Sequence, residues 1–264
     1  MAKINANKVR IDIASKLVQM GTILNDSGIL LDDGKSAFES AADQCRNNYF
    51  VIDGHKPNAN SWGYSLNRIL VRASRDKMRH VNPDGASDIT IEYSVSVVGN
   101  AQNFEKLCDP LESLSFNIVI NAKNSKNQDT KYRCCWHLDR NIEGDESPQD
   151  AHPHYHFHFG GNNMNFNDGT RNYGSTLFLD SPRIAHMPLD AILATDFVLS
   201  NFVSNQWKDL THKKTGNPQY QNIIKFAQQQ IWKPYAIAAS KNFAPFNVSE
   251  STWSTEEVWP QLIL

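Results

Sequence analysis

Strict alternation of apolar and polar residues dominates the middle of this chain. Ile89, Ile91, Tyr93, Val95 and Val97 alternate with Asp88, Thr90, Glu92, Ser94 and Ser96, and Leu114, Phe116, Ile118 and Ile120 repeat the pattern. A β-strand sends successive side chains to opposite faces, so a period of two marks strands with one face in a core and the other wet. Half-wet strands of this kind belong to antiparallel sheets. Tyr132, Cys134, Trp136 and Leu138 alternate in the same way with Arg133, Cys135, His137 and Asp139. Tyr155, Phe157 and Phe159 alternate with His154, His156 and His158, and Thr176–Leu179 reads as one more short strand. Together these segments predict a meander or similar antiparallel sheet of about five strands between about residues 88 and 180.

The flanks change period. Ile4, Val9, Ile11, Ile13, Leu17, Val18 and Met20 predict a helix over most of residues 3–24, and Lys35–Cys45 a second one. Tyr49–Ile52 reads as a short buried strand closed by Asp53-Gly54. In Ser61–His80, the spacing of Leu66, Ile69 and Leu70 and the run of arginines favour a helix. Arg68, Arg72, Arg75, Lys77 and Arg79 would then form its solvated face. Pro188 can open a helix striped by Leu189, Ile192, Leu193, Phe197, Leu199, Phe202 and Val203, with Asp190 as a first-turn acid. A further helix runs from Tyr220 to Ile231 and stops before Pro234, and Trp253 and Trp259 bring the tail back onto the body. The expectation is one α+β domain over residues 1–264: helical to 80, mainly sheet over 88–180, helical over 188–245.

The wet face of this sheet carries unusual chemistry. Four of the nine histidines fall in His152–His158, and strand alternation puts His154, His156 and His158 on one face. If the Tyr132–Asp139 strand is their antiparallel neighbour, His137 and Asp139 join that face. Imidazoles ligate metals and move protons near neutral pH. Two or three of them with a carboxylate make a first shell suited to Zn, Mn or Fe. The expected metal ligands are His154, His156 and His158. The expected catalytic groups are His137, Asp139, His156 and Arg183, the arginine reaching a phosphate or carboxylate. The plainer alternative is a polar sheet face whose histidines are solvated or hydrogen-bonded across strands.

Bulk properties narrow the class. The formal charge is −2 over 264 residues, so there is no overall basic footprint of a nucleic-acid binder. The N-terminus lacks a signal-like apolar stretch and no segment is apolar enough to span a bilayer, which predicts a cytoplasmic protein without a membrane partner. Cys45, Cys108, Cys134 and Cys135 contain no C-x-x-C pair, which argues against a zinc ribbon. There is no P-loop, G-x-G-x-x-G, G-x-S-x-G or H-E-x-x-H.

His137-x-Asp139, then His154-x-His156-x-His158-x-Gly160-Gly161, Arg183 and a Pro-started apolar helix resemble uncharacterised bacterial proteins of toxin–antitoxin and phage-defence loci, over about residues 132–205. That resemblance implies an intracellular antiviral or toxic effector, with nuclease activity as one form, working with a partner subunit or antitoxin. Arg75-x-x-x-x-His80 resembles the all-helical HEPN ribonucleases in that hexapeptide alone, and the large β region departs from that family. The leading expectation is a cytoplasmic hydrolase or nuclease-like effector using a divalent metal, with nucleic acid as one candidate substrate. Its rival is a non-catalytic regulatory subunit of a multiprotein defence complex.

Overall fold

The computed structural model describes residues 4–74, 85–140, 153–160, 184–241, 253 and 255–258. Its centre is a six-stranded antiparallel sheet in simple sequential order: β1 (Ser61–Arg72), β2 (Ala86–Asn100), β3 (Leu111–Asn124), β4 (Lys131–Arg140), β5 (Tyr155–Phe159) and β6 (Ile184–Ala185). The α+β class read from the sequence therefore holds, with six strands in place of about five. Thr176–Leu179 lies outside the described residues.

The strand β1 corrects the helix expected over Ser61–His80. Its register on β2 slips between Leu66, opposite Val95, and Ile69, opposite Tyr93. One extra residue bulges there, with Arg68 at φ 51°. The bulge puts Leu66 and Ile69 on the same buried face although they are three apart, which imitates helical spacing. Arg68 and Arg72 are exposed strand residues, while Arg75, Lys77, Arg79 and His80 lie outside the described residues.

The helices cover one sheet face. They are α1 (Ala6–Asp26), α2 (Gly34–Asn47), the single-turn α3 (Asn103–Lys106), α4 (Ala191–Phe202), α5 (Ser204–Thr211), α6 (Pro218–Ala227), α7 (Lys233–Ser240) and α8 (Thr255–Val258). Leu17, Met20 and Leu24 of α1, Phe38 of α2, and Ile192, Leu193 and Leu199 of α4 share one core with Tyr64, Leu66, Tyr93, Val95, Phe116, Leu138 and Phe157 of the sheet. Asn5 caps α1 by accepting from the amides of Asn7 and Lys8. Several polar groups sunk in this layer are paired: Tyr93 donates to Thr195 Oγ1 (3.0 Å), and Trp207 and Tyr220 donate to Asp196.

Two further expectations need correction. Phe50 and Ile52 are buried with Val98, but Tyr49 and Val51 are 78% and 76% exposed. The segment is a small hairpin rather than a buried strand. Ile52 and His55 pair around Asp53 and Gly54, both at positive φ (48° and 76°), as a type I′ turn requires. Gly63 of β1 leaves room for it, since a Cβ there would sit 3.0 Å from the Phe50 ring. The last long helix also does not stop before Pro234. A π-helical segment, Gln228–Trp232, joins α6 to α7, and Pro234 falls in the first turn of α7, where a missing N–H costs little. Trp253 does pack back, against Tyr235 and Tyr155; Trp259 lies outside the described residues.

Phe157 stacks on Phe197 of α4 (centroids 5.1 Å) and meets Phe116 edge-on. Phe157→Ala should lower stability by roughly 3–5 kcal/mol, read as a lower denaturant midpoint; an unchanged midpoint would show that β5 lies outside the core. Asp190 caps α4 by accepting from the Leu193 amide, yet it is buried, which pushes its pKa up to about 6. A carboxyl that titrates higher in the folded state than its ordinary ~3.9 supports the fold below pH ~4 and loses that support as pH rises through about 6. Asp190→Asn keeps the cap acceptor. It should flatten this stretch of the stability–pH profile and stabilise the protein above pH 7 by roughly 2–3 kcal/mol. A parallel profile in both proteins would refute the assignment.

Candidate metal centre

The strands β4 and β5 are antiparallel neighbours, with His137 opposite His158, Asp139 opposite His156, and Arg140 opposite Tyr155. This is the pairing the alternation implies, and it sets His137, Asp139, His156 and His158 on the face away from the helices. The imidazoles of His137 and His158 stack nearly parallel, centroids 4.5 Å apart and planes 8° off. Asp139 Oδ2 lies 3.3 Å from His137 Nε2. His137, Asp139 and His158 each offer one ligand atom, and the three atoms lie within 4.8 Å of one another. Among the described residues this is the grouping able to hold an ion.

His156 has a different role from a solvated ligand. It is 2% exposed, its Nδ1–H donates to the Pro153 carbonyl at 2.8 Å, and its ring packs at 64° against His158 at 4.5 Å. It forms the wall that orients His158. The Pro153 carbonyl fixes the orientation of the His156 ring, and that ring packs against the His158 imidazole.

Asp53 was not singled out by the sequence. The turn that holds it lays its carboxylate against Ser113, whose hydroxyl donates to Oδ2 at 2.6 Å. Burial raises the Asp139 pKa, the charge of His137 opposes that rise, and the nearby Asp53 adds to it. A divalent cation would relieve both penalties, since it neutralises a desolvated carboxylate and the repulsion between two of them.

His154, expected as a metal ligand, is elsewhere. It precedes the first paired residue of β5, so strand alternation does not govern it. Its Nε2–H donates to Asp109 Oδ2 at 2.6 Å, and its ring meets Tyr155 and Trp253. Asp109 also accepts from Arg140 Nε (2.9 Å, Oδ2) and from the Tyr155 hydroxyl (2.5 Å, Oδ1). Burial alone would raise the Asp109 pKa; the His154 bond, the Arg140 charge and the Tyr155 hydroxyl outweigh it and hold the carboxyl below its ordinary range. The only hint of Asp109 in the sequence is an Asp before Pro110, which reads as a turn. Arg183 lies outside the described residues. His186 donates from Nδ1 to the Met187 carbonyl and packs on Phe157 and Phe197 rather than facing the cluster.

Among the described residues no helix is long and apolar enough to cross a membrane. Compared with family models, curated proteins and solved structures, the chain shows no match.

An Asp whose pKa is depressed by folding supports the fold above ~3.9 and loses that support as pH falls through the folded-state value. Asp109→Ala should therefore cost about 3 kcal/mol at neutral pH, the low end for breaking a buried pair because Arg140 keeps some solvent. The difference from wild type should shrink on acidification. A loss that does not depend on pH would count against an ionised Asp109.

Proposed function

We propose that this protein is a divalent-metal-dependent hydrolase whose metal sits between His137, Asp139 and His158. The observation that carries the reading is the convergence of those three ligand atoms from a registered strand pair. Two imidazoles and one carboxylate suit Zn, Mn or Fe, and three protein ligands leave a position for water or substrate. A metal in such a site lowers the pKa of bound water and polarises the bond to be cleaved. In this reading Asp53, whose charge acts on Asp139, would accept a proton from that water. His156 acts as a positioning residue through His158. The resemblance to proteins of defence loci fits an intracellular effector of this kind acting with a partner protein.

The same donor set supports a second reading. Two histidines and one carboxylate with open positions also serve non-haem iron oxygen chemistry. Calorimetric titration of metal-stripped protein with Zn²⁺, Mn²⁺ and Fe²⁺ tests both. Uptake of one ion per chain is expected, weakened at least about tenfold in His158→Ala and Asp139→Asn. Hydrolysis of a chromogenic phosphodiester should follow metal loading and fall by about 10²-fold or more in His158→Ala. Uptake confined to Fe²⁺ with oxygen consumption would favour the second reading, and no uptake by wild type would remove both.

A further inference from the structure

Along the same open face, toward the end of the sheet where β3 turns into β4, lies a cleft of about 520 Å³ lined by Arg72, Lys123, Lys131 and Arg133, with Asn121 and Asp88 among them. Four cations thus face one carboxylate in a chain whose formal charge is −2. Lys123 and Lys131 stand directly opposite each other across the β3–β4 ladder. Like charges in that position destabilise a sheet, so an anion between them would relieve a built-in repulsion. Arg133 Nε donates to Asn121 Oδ1 at 2.9 Å, which fixes the guanidinium plane. A planar, oriented guanidinium suits bidentate recognition of phosphate.

The cleft and the metal cluster share a face and a direction. On β4, Arg133 precedes His137 by four residues; on β3, Asn121 follows Asn117, the partner of His137, by four. Four residues of strand span ~13 Å, a distance that a few nucleotides cover. We propose that the basic cleft is a backbone-phosphate subsite and that the substrate class is a single-stranded nucleic acid laid along β3 and β4, with a phosphodiester bond at the metal. The substrate role rests on the hydrolase reading; the binding role does not. Phosphate contacts position a strand without reading its sequence, so affinity should depend strongly on salt and little on base identity.

Fluorescence anisotropy with a labelled short single-stranded oligonucleotide, in EDTA, tests the subsite apart from the chemistry. The double variant Lys123→Glu/Lys131→Glu exchanges one like-charge pair for another at two exposed positions. Its metal uptake, measured as above, reports that the fold is kept. Binding by wild type should weaken at least about tenfold in this variant, and the slope of log affinity against log salt should become shallower by about 0.7 for each phosphate no longer neutralised. Equal binding by wild type and the double variant, or none by either, would overturn the inference, while metal uptake and phosphodiester hydrolysis would still stand for the hydrolase. Equal competition by polyglutamate would also overturn it, in favour of an acidic protein partner. Failure of metal uptake with oligonucleotide binding intact would remove the hydrolase and leave the subsite.

Discussion

Asp109 holds a registered pair. Arg140 and Tyr155 are opposite each other at the end of the β4–β5 ladder, and the one carboxylate takes a hydrogen bond from each, with His154 as a third donor. Because strand side chains alternate, a slip of one residue between β4 and β5 would send the histidines of β5 into the helical layer and the phenylalanines into the open. β5 is only five residues long, and its ladder alone gives little resistance to such a slip. The buried ionic cluster adds a position-specific penalty for every other register. The meeting of His137 with His158, and of Asp139 with His156, rests on a carboxylate on the other side of the sheet.

The open face is electrically polarised. Asp53 and Asp139 lie toward one end, and Lys123, Lys131, Arg72 and Arg133 toward the other. Ser65, Ser96 and Ser115 share the rung of Asp139, Ser94 and Asn117 occupy the next, and Glu92 the one after, its carboxylate 3.5 Å from Arg68. Net charge averages this separation to near zero, which is why composition alone argued against a polyanionic ligand. An arrangement with cations along a track and carboxylates at its end can hold a phosphate chain and a metal ion without either site cancelling the other.

Much of this was legible in the alternation. β2 to β5 and the shared face of His137, Asp139 and His158 follow from a period of two wherever the ladder is regular. Reading failed where the ladder is irregular. The β1 bulge spaced Leu66 and Ile69 like helical neighbours, and His154 sits one residue before pairing begins, so the period that places His156 does not reach it. Burial of His156 was also hidden, because sequence gives the face of a residue but not what covers that face. Asp109 and Asp53 are single acids in turns, and their importance comes from chain segments tens of residues away.

The Asp53-Gly54 turn ties local chirality to site charge. Both residues adopt the left-handed conformation, and Gly54 meets no steric cost there. The same bend, built with the opposite hand, would splay the hairpin and carry the Asp53 carboxylate away from Ser113. The electric field at the cluster is therefore set in part by a residue that has no side chain at all. An uncharged substitution in that loop, by moving the Asp53 carboxylate, would change the charge near the cluster while leaving every ligand in place.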